Sequence, residues 1–297
     1  MKKILPILLC LNTFALVDYT EPSSYSPAAP VQRKAARITK KTKAPRRQSS
    51  QKFLELMATF KSQSFKSDTG EAKVSTINVD GHIQTNYDLY LDFSIPMHSG
   101  KLSEDQVGSS YQKGNPKVIL GLNWLQFGSA ERALTLDIYG GGIFSSSSDF
   151  ATQRTDKIVG ISTSKRFYNF GFGLAYELNL TGTSKDQLEQ DIGNIQQLKA
   201  QIGWLVSNDI RFILNANNVK ISESTDAGRS SRLDQAVKYA YIKPEVVLTL
   251  SPGVDFHMMA LFLTRRPKQG LVSTDAKLWS LDGFYGNSLS AGLNISI

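Results

Sequence analysis

The run Phe170 to Leu180, FGFGLAYELNL, constrains this chain more than any other stretch. Phe170, Phe172, Leu174, Tyr176, Leu178 and Leu180 fall on one face of an extended chain, and Gly171, Gly173, Ala175, Glu177 and Asn179 on the other. Successive side chains of a strand point to opposite sides, so a period of two means β-strand, whereas a helix would scatter both sets around its surface. The second face is small and polar, where the solvent face of a soluble sheet more often carries Lys, Glu and Thr. Small polar residues suit a crowded interior, and bulky apolar ones suit lipid. The run therefore reads as one stave of an all-β, antiparallel transmembrane barrel, which pairs every backbone group between strands and leaves no edge in the bilayer. The competing architecture is a soluble exported β-sandwich with the apolar face as core.

Composition agrees with a barrel and excludes a helical membrane protein. Mean hydropathy is slightly negative, and the chain holds no run of roughly 18 apolar residues, which a spanning helix would need. Barrels hide in such compositions because only alternate residues must be apolar. Residues 1–15 read as an export signal: Lys2 and Lys3 form a basic start, Ile4 to Leu11 an apolar core, and Thr13-Phe14-Ala15 a small-x-small cleavage pattern. The single cysteine, Cys10, falls inside that segment after Leu9, which is too large for a lipoprotein signal. The mature chain then has no thiol, in keeping with an oxidising compartment.

Residues 16–52 carry Pro22, Pro27, Pro30 and Pro45 among Ser, Ala, Lys and Arg, with almost nothing to bury, and read as a disordered periplasmic linker. Its cations are Arg33, Lys34, Arg37, Lys40, Lys41, Lys43, Arg46, Arg47 and Lys52, with no acid among them. Those nine exceed the net charge of +8, so the remainder of the chain is close to neutral. The expected partners of this tail are anionic lipid or cell-wall polymer; nucleic acid is excluded by the compartment.

From Phe53 to Ile297 alternating segments follow one another, separated by Gly, Asn, Asp and Ser clusters, and about twelve strands can be counted. Asp80-Gly81 in the second is either a bulge or a hairpin turn. Pro244 is expected to shift the register of the tenth, which aligns Val237, Tyr239 and Tyr241. Long polar loops are expected at His98 to Asn115, after Gly140-Gly141-Gly142, at Gly182 to Gly193, at Glu223 to Arg232 and at Pro267 to Gly286. Short connections alternate with these long ones, as they do where short turns face the periplasm. The last segment opposes Leu289, Ala291, Leu293, Ile295 and Ile297 to Ser288, Ser290, Gly292, Asn294 and Ser296. This ending resembles the closing strand of bacterial outer-membrane β-barrel proteins, although that family commonly ends in an aromatic residue where this chain has Ile297. The resemblance implies an outer-membrane location, contact with its lipids, and insertion by the barrel-assembly machinery.

Ionisable residues expected on the lumen face are Asp92, Asp137, Glu177, Lys199, Arg211, Asp255 and His257. They could form a charged pore lining that selects solutes, or they could pair and fill the lumen. Trp124, Tyr168, Trp204, Tyr239 and Tyr241, near strand ends, are expected to form aromatic girdles at the membrane interface. The functional expectation is a narrow porin-like channel for small solutes that carries out no chemistry. The alternatives are a closed structural or adhesive barrel whose loops bind a partner, and, remotely, a lipid hydrolase. Catalysis would have to use His82, His98 or His257, of which His98, beside Ser99 at the outer rim, is best placed. Neither a metal-ligand cluster nor a phosphate-cradling glycine loop is legible, and no cofactor is expected.

Overall fold

The computed structural model describes residues 53–297 apart from 68–69, 86, 102–106, 129–131, 185, 187–188, 225, 227–231 and 269–273. The expected export signal, the linker and all of its cations lie outside the described residues. Thirteen strands follow in order: β1 Leu54–Ser67, β2 Gly70–Gln84, β3 Leu89–Lys101, β4 Val107–Lys113, β5 Lys117–Phe127, β6 Leu134–Ile143, β7 Asp156–Phe167, β8 Phe170–Leu180, β9 Ile195–Leu205, β10 Ile210–Ile221, β11 Val237–Ser251, β12 Val254–Arg265 and β13 Ser288–Ser296. Neighbours pair antiparallel, and the pairings of β1 with β13 and of β2 with β3 close the sheet on itself. Both β4 and β5 pair with β3, one along its far end and the other along its near half. They are two parts of one stave, interrupted at Gly114-Asn115-Pro116, so the wall has twelve staves.

Alternation sets the two faces of every stave. Leu56, Phe60, Leu120, Phe172, Ile202 and Phe262 are exposed on the outside, an apolar belt far too extensive for a water-facing surface and suited to lipid contact. Inside, rings lie against glycines in directly opposed pairs. Tyr90 faces Gly121 and Tyr139 faces Gly160, and a side chain on either glycine would collide with the ring. On the outer face, Phe93 covers Gly81 in the same way. Aromatic cover of this kind restores packing that a glycine in a strand forfeits. It also accounts for Asp80-Gly81, which β2 traverses in unbroken register with β1, as neither bulge nor turn.

Three further expectations are corrected. His98 to Asn115 is not a loop throughout: β3 runs on to Lys101, and β4 returns along it. Pro244 does not shift register, since β11 stays in step with β10 through it; the irregularities against β12 lie at Ala240/Tyr241 and Thr249/Ser251 instead. Because the odd-numbered residues of β11 keep facing inward, Tyr239 and Tyr241 are buried at 0% and 7% exposure and are not interfacial. Tight connections gather at the end that holds Leu54 and Ser296. One is Pro252-Gly253, where Gly253 takes φ +82°. Another is Tyr168-Asn169, where Tyr168 accepts φ 52° and the Arg132 guanidinium lies 5.0 Å above its ring.

Candidate functional site: a capped lumen

The long connections at the other end fold over the barrel mouth and are stitched to one another. Arg154 donates from Nε to Asp156 Oδ1 (3.1 Å) and from Nη1 to Glu189 Oε1 (3.2 Å), while Ser184 Oγ donates to Glu189 Oε2 (2.6 Å). The Gln190 amide donates to the Asp275 carbonyl (3.2 Å), and Ser224 Oγ donates to Asp191. Asn115, at the break between β4 and β5, donates to the Thr152 carbonyl (2.8 Å) and receives the Thr152 amide (2.7 Å).

The β12–β13 connection goes deepest. Trp279, 2% exposed, stacks on Tyr285 at 4.3 Å between ring centres and meets Phe150 edge-on at 5.7 Å. Phe284 packs edge-on against Tyr239 at 6.0 Å. The inward tyrosines of β11 thus form the floor on which this apolar cap rests, together with Val219, Ile221 and Val237. Gly283 takes φ +77°, and a Cβ there would meet Tyr241 Cδ1 at 2.8 Å, so only glycine fits. Beside it, Asp282 reaches into the lumen. Its Oδ1 accepts from Lys61 Nζ of β1 (3.1 Å) and its Oδ2 from Lys243 Nζ of β11 (3.4 Å), while Tyr239 Oη donates to its carbonyl (3.0 Å). Burial raises the Asp282 carboxyl, but Lys61 and Lys243 outweigh it and hold the group well below the usual carboxylate range.

Beneath the cap runs a cavity of about 580 Å³ with a mixed polar and apolar lining, bounded by Leu278 to Asp282 above and reaching Glu55, Gln84 and Arg211 near the short-turn rim. All seven expected lumen residues face inward. Asp92 pairs with His82 Nδ1 (2.6 Å), and His257 Nδ1 with Glu245 (2.6 Å). Arg211 Nη2 donates to Asp255 Oδ2 (2.6 Å), whose other oxygen accepts from Thr249 Oγ1 (2.6 Å). Lys199 Nζ donates to Glu177 Oε2 (3.0 Å), with Lys117 Nζ at 3.8 Å from the other oxygen and Gln197 Nε2 donating to it at 3.1 Å. Asp137 accepts from Ser162 Oγ (3.2 Å) and has no partner for Oδ1. Lining and pairing therefore coexist: among these seven, each charge except that of Asp137 has its counterion on the wall, and space remains between them.

Sequence reasoning missed Lys61, Lys117, Lys243, His82, Glu245 and Asp282 as members of this site. Lys61, Lys117 and His82 were within reach of the alternation rule, since each stands opposite the apolar face of its strand; Lys243 and Glu245 were not, because they share a face with Val237, Tyr239 and Tyr241. Asp282 had no periodic signal at all. Among the aromatics, Trp124, Tyr168 and Trp204 are exposed and stand at the short-turn end, with Trp204 stacked on Phe170 at 5.9 Å. His98 lies in β3, 1% exposed, its Nδ1 2.9 Å from Thr76 Oγ1 and its ring against Phe150. It is not at a loop rim, and Ser99 falls on the opposite face of the strand. No group of three His, Cys, Asp or Glu side chains among the described residues could hold a metal ion.

No family profile matches the chain, and no curated protein matches it in sequence. Among solved structures, an outer-membrane channel from Pseudomonas putida F1 superposes with a TM-score of 0.56 at 10% identity, covering 93% of this chain and 99% of that one. The NanC porin superposes with a TM-score of 0.50 at 12% identity, covering 82% of this chain and all of that one. The fold is that of the bacterial outer-membrane β-barrels. Its closed wall and external apolar belt suit it to a lipid surround.

Proposed function

We propose that the barrel is a narrow channel for small solutes, without a catalytic step, whose outer mouth is closed in this conformation by the β12–β13 cap. The cavity of about 580 Å³ that continues from the short-turn rim to the underside of the cap carries this reading. Charge pairs along the wall supply polar groups without filling it, as a water-filled path needs. A cap fastened by the Asp282 carboxylate, a cluster of rings and a few hydrogen bonds and ion pairs to loops and wall side chains can leave without breaking the strand ladder, so opening need not cost the barrel its fold.

Purified protein in planar bilayers tests the proposal. Stepwise conductance is expected, rising when the cap is loosened and changing ion preference when Glu177 or Lys199 is neutralised. The extent of the cap favours a second reading, a permanently closed barrel whose outer surface meets a partner. Silent bilayers for both wild type and cap-loosened protein, with folding confirmed by the gel-mobility shift on heating, would move the assignment there.

A further inference from the structure

We propose that Lys61 and Lys243 form a binding site for a small carboxylate solute inside the lumen, and that Asp282 occupies it as a resident surrogate. The inference rests on the channel reading and specifies which solutes that channel takes. Lys61 and Lys243 come from staves separated in the wall by β13 and β12, yet they converge on one carboxylate and take one oxygen each. The other lumen pairs, Arg211 with Asp255, His257 with Glu245, His82 with Asp92 and Lys199 with Glu177, join wall to wall. Only these two wall lysines, among the described residues, have their salt-bridge partner on a removable element.

When the cap leaves, the wall keeps its lysines and loses their carboxylate. The recess next to Asp282, about 170 Å³, is lined by Lys117, Lys199 and Lys243 with Glu177 as the only wall acid. Lys61 lines the adjoining cavity and adds a fourth cation, against Glu177 in the recess and Asp80 and Glu245 in that cavity, so the wall without Asp282 keeps an excess of positive charge that an entering anion compensates better than water alone. A second observation points the same way. Asn215 lies directly across from Lys243 in the strand pairing and lines the same recess. It is 8% exposed, and its Nδ2 donor has no acceptor. A buried amide N–H without a partner beside a lysine is suited to an anionic oxygen. At about 30 Å³ for each water of liquid volume, the recess holds the equivalent of roughly five or six waters, the scale of a short-chain carboxylate.

The test is lactate binding to the folded barrel in detergent, measured by titration calorimetry, which does not depend on conductance. Asp282→Asn is expected to bind lactate at least about tenfold tighter than wild type, because the resident competitor is gone. Asp282→Ser serves as a second variant should the first fail to fold. Adding Lys61→Met and Lys243→Met should abolish binding, and the uncharged amide of lactate should not bind. Equal affinity for lactate in wild type and both Asp282 variants, or binding indifferent to the two lysines, would overturn the site. Inorganic phosphate bound as tightly as lactate would overturn the carboxylate class. Binding with silent bilayers would refute the channel alone, and conductance without binding would refute this site alone.

Discussion

Trp279→Ala should unfasten the cap while leaving the barrel closed as a sheet. Trp279 contacts cap and mouth residues, stacked on Tyr285 and edge-on to Phe150, and takes no part in the strand ladder. Truncating a buried tryptophan to alanine costs about 3–5 kcal/mol. That cost falls on the capped state, because in the uncapped state the ring has already lost these contacts. Taking the lower figure, and a tenfold change per 1.4 kcal/mol, the population of uncapped molecules should rise by roughly 100-fold. Asp282→Asn should do less: two charge-assisted hydrogen bonds in a partly hydrated lumen are worth about 2 kcal/mol after discounting for solvent, or roughly 25-fold. Trypsin cleavage after Lys277, followed by mass spectrometry of the peptide beginning at Leu278, reads the uncapped population directly when opening is fast relative to cleavage. Wild-type cleavage kinetics in Trp279→Ala, with the heat-dependent gel shift retained, would show that the ring cluster does not hold the cap. A larger effect from Asp282→Asn than from Trp279→Ala would reverse the assigned ranking of apolar and ionic fastening.

Glu177→Gln strands Lys117 and Lys199 inside the wall. It should cost about 3 kcal/mol, seen as a lower temperature for loss of the compact gel form. Gly160→Ala should displace the Tyr139 ring, which reaches across this glycine to donate to Glu177 Oε2 at 3.4 Å, and cost about 1–3 kcal/mol in the same assay. The Asp282 carboxyl is depressed, so its contribution is fully present above the unfolded value near 3.9 and is lost only as pH falls through the lower folded value. The difference in Trp279 quenching between wild type and Asp282→Asn, in a background with Trp124 and Trp204 replaced by Phe, should therefore stay constant from pH 7 to pH 5. A decline over that range would contradict the lysine pairing. A peptide of residues 33–52 should bind anionic vesicles at low salt and release at high salt; indifference to vesicle charge would leave it a spacer.

The staves were legible because lipid outside and polar filling inside impose alternation on each strand separately, and β8 at Phe170–Leu180 coincides with the run first read in the sequence. Alternation assigns two faces but does not say which is inner. That judgement rested on apolarity, and it failed where the lumen itself is apolar. Val237, Tyr239 and Tyr241 look like a lipid-facing row, yet they face Phe284 and Trp279, from a loop more than thirty residues away. The same tertiary contact makes Asp282 a lumen residue, and no local pattern could announce it. Pro244 misled for a different reason. A missing N–H weakens one ladder position, and β11 is held in register through it by β10 along its other edge.

The rows of rings on glycine divide the barrel into a stiff side and an adjustable one. Across β3, β5, β6 and β7 the directly opposed residues Tyr90, Gly121, Tyr139 and Gly160 interlock, and a methyl group on either glycine would displace a ring. Across β9, β10 and β11 the inward positions carry Gln201, Asn215, Asn217 and Lys243, whose side chains can turn or lengthen without moving the backbone. Changes in bore or preference by substitution are thus confined to one arc of the wall, the arc that also holds half of the carboxylate cradle and the floor of the cap. An engineer wishing to widen the passage would shorten Gln201 or Asn217 and leave Tyr90 and Tyr139 in place.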